Sequence, residues 1–167
     1  MAQVAIRFDP ATMSSMSAVF RWRIPASTEQ VLKAVKMIEY SFNEQYNLFI
    51  WKPKVVIDLQ LLLEAISTTE ELKAQRGAFN RFVNISDILG ISLHAPDLED
   101  IARRRSAYDG PVVKAAYFTP HALSIGIGRM LQSLIKNKQL KIEVFGNIQS
   151  CANWLDVPQE ILEAKSD

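Results

Sequence analysis

Apolar and polar positions change rhythm repeatedly between Val112 and Leu155, and the changes read strand, helix, strand, helix. Val112, Val113, Ala115, Ala116, Tyr117 and Phe118 form a nearly continuous apolar run broken by Lys114. That is the pattern of a strand covered on both faces. Thr119-Pro120 offers an N-cap hydroxyl and a proline at the first helical position, so a helix is predicted over Pro120–Lys138. Its apolar stripe is Leu123, Ile127, Met130, Leu131 and Leu134, and Lys136 and Lys138 suit the negative end of its dipole. A second strand is predicted over Leu140–Phe145. A last helix over Asn147–Leu155, capped by Asn147, is predicted to bury Ile148, Cys151, Trp154 and Leu155.

Upstream the same alternation continues. Ile38, Tyr40 and Phe42 alternate with Glu39 and Ser41 as in a half-buried strand, and Asn43–Asn47 is turn-prone. Leu48–Lys52 reads as a second strand, ended or held at an edge by Pro53. Asp58 caps a predicted helix with Leu59, Leu62, Leu63 and Ile66 on its inner stripe and Gly77 at its end. Phe79–Ile85 reads as a central strand, Ser86–His94 as a connection, and Pro96 opens a helix closed by Arg103–Arg105. The expectation is an α/β domain: a mostly parallel five-stranded sheet with an N-terminal hairpin and about four helices.

Two glycines, Gly126 and Gly128, interrupt the long helix, each at a cost of roughly 1 kcal/mol relative to alanine. Close packing on the sheet explains them, as does a surface approached by a ligand or a partner backbone. A phosphate-binding loop does not, because its glycines precede a helix.

The ordered run Ser124-Ile125-Gly126-Ile127-Gly128-Arg129-Met130, then Val144-Phe145, then Ala152-Asn153-Trp154-Leu155, resembles the C-terminal half of SpoIIAA-like proteins. Val55-Val56-Ile57-Asp58, the run Phe79–Ser86 and Ile101–Arg105 are similar to earlier stations of that pattern. The match runs from about Met37 to Val157. It implies a STAS-type fold, that of the anti-sigma-factor antagonists, over residues 37–167. Residues 1–36 then form an extension, read either as a start placed too early or as a real segment docking on the domain. In antagonists of that type a serine at a helix start is phosphorylated. Here Ala95 and Pro96 stand near that place and Ser92 is out of register, so no phosphoacceptor is expected. The family's topology is also similar to that of CRAL-TRIO lipid-transfer domains, which implies an apolar pocket as the alternative role.

Composition narrows the chemistry. The 167 residues are 49% hydrophobic and 22% charged, with a formal net charge of +1, so no global field attracts nucleic acid. The single Cys151 excludes an internal disulfide, and two histidines, His94 and His121, are too few for a convincing metal site. Asp9, Pro10 and a serine-rich stretch interrupt any signal-peptide core, and a cytoplasmic location is expected. No Ser/His/acid ordering appears, and Asp97 with Asp100 reads as a helix N-terminus attracting acids rather than a catalytic dyad. The expectation is a non-enzymatic regulatory or protein-interaction module, without metal or cofactor, monomeric or weakly dimeric. The alternative is a carrier of a lipid or small apolar molecule. Nothing points to peripheral membrane contact. Arg81, Gly126, Gly128 and Arg129 are the candidate ligand- or partner-binding residues.

Overall fold

Ile38–Asn43 (β1) and Leu48–Pro53 (β2) form an antiparallel hairpin, with Tyr40 opposite Trp51 and Phe42 opposite Phe49. The computed structural model describes residues 38–164, so the readings of residues 1–36 lie outside the described part. The turn is built by asparagines: the Asn43 side chain accepts from Tyr46 N–H, and Asn47 takes a left-handed φ of 47°. Val56–Asp58 (β3) follows, and the Asp58 carboxylate caps Leu59–Arg76 (α1) by accepting from Leu61 N–H at 2.8 Å. Gly77 ends α1 at φ 81°, a conformation open chiefly to glycine.

Asn80–Asn84 (β4) is the central strand. Gly90–Ser92 (β5) then precedes Ala95–Ser106 (α2), Val113–Phe118 (β6), Ala122–Leu134 (α3), Leu140–Phe145 (β7), Ile148–Leu155 (α4) and Gln159–Glu163 (α5). The main sheet has the order β1-β2-β4-β6-β7, antiparallel at the β1–β2 edge and parallel elsewhere. The predicted α/β architecture is therefore present, with five helices among the described residues. The connection read over Ser86–His94 also contains β5, which pairs in parallel with β3 as a separate two-stranded sheet.

Two cores lie on opposite faces of the main sheet. Leu48, Ile50, Phe82 and Ala116 pack under Cys151, Ala152 and Leu155 of α4 and Leu162 of α5. Phe49, Trp51 and Val83 face the other way, against Leu61 and Ala65 of α1. Strand alternation produces this division, since neighbouring residues point to opposite faces.

Several expectations change in detail. The inner stripe of α1 is Leu61, Ala65 and Thr69, one position away from the predicted leucines. The long helix starts at Ala122 and ends at Leu134. Thr119 accepts from His121 N–H before the helix rather than capping it, and Ile135 is already extended. Asn137 stops it: its side-chain oxygen accepts from Gln139 and Leu140 N–H while its nitrogen donates to the Ser106 and Tyr108 carbonyls. Leu123 and Met130 point to solvent at 75% and 46% exposure, because Ser124 and Gly128 take the inward face. Ile148 and Trp154 are half-buried rather than core; Trp154 packs on Phe145 with ring centroids 5.9 Å apart.

Candidate functional site

Arg81 occupies the middle of β4, between Phe49 of β2 and Ala115 of β6. Its neighbours in sequence, Asn80 and Phe82, point to the other face, so strand alternation directs Arg81 under α1, α2 and α3. There it is 5% exposed, the one buried charged residue among those described. Buried arginines normally meet a carboxylate. Among the described residues none lies within ion-pair distance of Arg81, and its Nε has no hydrogen-bond acceptor. Burial pushes its guanidinium down to about 10, and the like charge of Arg105 pushes the same way. The carboxylate that acts on it, Glu70, pulls in the opposite direction more weakly and is itself paired with Lys73 at 3.5 Å.

Arg81 borders a cavity of about 50 Å³ between the sheet and α1–α3. Most of the lining is apolar, from Phe49, Leu62, Ile101, Leu131 and Ile142 among others. The polar groups on it are Arg81, Arg105, Thr69, Tyr117 and the Trp51 indole. Thr69 already donates its hydroxyl to the Ala65 carbonyl at 2.7 Å. The Trp51 indole lacks an acceptor at hydrogen-bond geometry. It sits close enough to the Tyr40 hydroxyl to oppose, in part, the upward push that burial gives that phenol. A space this size holds roughly four water-sized groups.

An uncharacterised protein of the DUF3478 family with a SpoIIAA-like fold, from Shewanella loihica PV-4, is similar at a TM-score of 0.45 and 15% identity, over 71% of this chain and 91% of that one. No protein-family model and no curated protein matches the chain.

Of the four residues singled out by sequence, only Arg81 lines the cavity. Arg129 is exposed on α3 and does not join it; Arg105, the last of the arginine triplet, takes that place. Arg103 and Arg104 pair outward with Asp100, the latter at 2.9 Å, while Arg105, about 100° further round the helix, borders the cavity. What sequence could not supply was the crossing of α2 over β4. Gly128 has a packing role, because a Cβ there would meet Val144 at 3.1 Å. Gly126 has none, since a Cβ there meets nothing within 4 Å.

The remaining candidates resolve structurally. Asp97 accepts from His94 N–H at 2.8 Å at the start of α2, and the hydrogen bond from Arg104 holds the Asp100 carboxyl below its usual range. Ser92 ends β5, exposed and two residues before the His94 N-cap. His121 is exposed, with Nε2 2.9 Å from the Ser86 carbonyl. Cys151 is fully buried, and burial pushes its thiol up to about 12, far from thiolate chemistry. No group of three or more metal-ligating side chains occurs among the described residues, and no helix there is long and apolar enough to cross a membrane.

Proposed function

We propose that the chain is a non-enzymatic, STAS-like regulatory module that responds to a small molecule held between the sheet and α1–α3. The observation that carries this reading is Arg81: a buried cation without an acid partner among the described residues, beside a mostly apolar cavity. Folded proteins keep such groups chiefly where function demands them, since an uncompensated buried charge destabilises the fold. Among the described residues no nucleophile with an adjacent base lines the space, so binding rather than conversion is the role it suits. Its volume of about 50 Å³ fits a small molecule and leaves no room for a lipid chain. Arg105 and Ile101 of α2 and Leu131 of α3 share the lining, so an occupant would bear on both helices and so reach any protein partner that reads them.

Amide chemical-shift mapping of the full chain against a library of small fragments tests this. Binders should perturb β4, α1 and α2 together and be recovered chemically unchanged. Perturbations confined to other faces, or turnover of a bound fragment, would contradict the proposal.

A further inference from the structure

The chemistry around the cavity also selects among small molecules. We propose that its occupant is a short-chain monocarboxylate, with the carboxylate on the Arg81 guanidinium and the carbon tail against Ile101, Leu131 and Ile142. This deepens the functional proposal above and rests on its reading of the cavity as a binding site.

Charge comes first. Two guanidinium side chains, Arg81 and Arg105, reach one space, and among the described residues no carboxylate lines it. Each arginine repels the other's charge in a poorly solvated site. An anion placed there relieves both the missing partner of Arg81 and that repulsion. A planar guanidinium matches a carboxylate through two parallel hydrogen bonds, which a lysine could not offer.

Size and donor count come next. Room for roughly four water-sized groups takes the carboxylate and the first carbons of a short tail and excludes a long acyl chain. A phosphate dianion would press its remaining charged oxygens against a lining that, apart from the arginines, Thr69 and Tyr117, is aliphatic or aromatic. Its apolar share suits a hydrocarbon tail rather than a polyol. Arg105 lies on α2 and Arg81 on the sheet, so one bound carboxylate would tie α2 to β4.

Four probes against the full chain decide it: butyrate, its neutral isostere butyramide, octanoate and inorganic phosphate. Each is followed by thermal shift and ligand-observed NMR at constant ionic strength. Butyrate should raise the melting temperature with saturation, and butyramide should bind at least tenfold more weakly. R81M should lose butyrate binding at least tenfold, R81K should lose most of it because the fork is gone, and R105M should weaken it less. Far-ultraviolet circular dichroism confirms that each variant is folded, and R81K serves if R81M is not. Equal binding of butyrate and butyramide would overturn the carboxylate assignment while leaving the cavity a binding site. Tighter binding of phosphate or of octanoate would overturn the class or the size limit. Failure of all four probes would overturn the inference, and the fragment mapping above then decides whether the binding site itself survives.

Discussion

At the scale of single residues, Arg81 sets stability and recognition against each other. It lies in register with Phe49 and Ala115 on the neighbouring strands and is buried, yet its charge is uncompensated among the described residues. Methionine keeps most of the volume and removes the charge. R81M should therefore raise the stability of the ligand-free protein, by about 1–4 kcal/mol in urea denaturation. A loss instead would mean that the guanidinium holds the fold together. The pH dependence has a definite sign. Burial brings the folded-state value down from its ordinary, higher value to about 10, so below about 10 the group is charged in both states and its burial cost is fully present. That cost is relieved only as pH rises through the interval between the two values. The gap between R81M and wild type should thus stay flat across roughly pH 6 to 9. Arg81 was legible in the sequence as a charged residue inside an apolar strand. Its companion Arg105 was not, because their meeting depends on how α2 lies over the sheet.

Among the elements, α3 shows most clearly how small residues place a helix. Gly128 faces Val144, and an added methyl would come within 3.1 Å of it, tighter than ordinary van der Waals contact. Gly126 faces open space. G126A should therefore gain up to about 1 kcal/mol from helix propensity, whereas G128A should lose about 1 kcal/mol net, strain on the buried Val144 outweighing the same gain. Paired thermal melts check this, and an equal response of the two variants would show that α3 is not seated against β7 at Gly128. W154A should cost about 2 kcal/mol, less than a fully buried tryptophan, because Trp154 is only half covered by Phe145 and the Lys114 side chain. A loss above about 4 kcal/mol would place it in the core. These cases mark what the pattern conveyed. The doubly covered β6 and the side-chain caps Asp58 and Asn147 were visible, since period and cap chemistry are local. The face presented by α3 was not: Leu123 and Met130 look like core by period, and only the tertiary approach permitted by Gly128 turns them outward.

Across the whole molecule, the sheet separates a filled core from a face that keeps a charged cavity. Under α4 and α5, the buried cluster from Leu48 to Leu162 is wholly apolar, with Cys151 inert at its centre. Under α1–α3 the same strands enclose Arg81 and about 50 Å³ of space. The α/β order of strands and helices followed from alternation alone. The paired β3 and β5 did not, because three-residue strands carry too little period to read. The most direct test of this account is a crystal structure of the full chain grown with butyrate. The account predicts density for a carboxylate within hydrogen-bond distance of both terminal nitrogens of Arg81, with its tail toward Leu131 and Ile142. Arg81 paired instead with a carboxylate of the chain itself, Glu70 or one from the residues before 38, and the cavity free of butyrate, would contradict it.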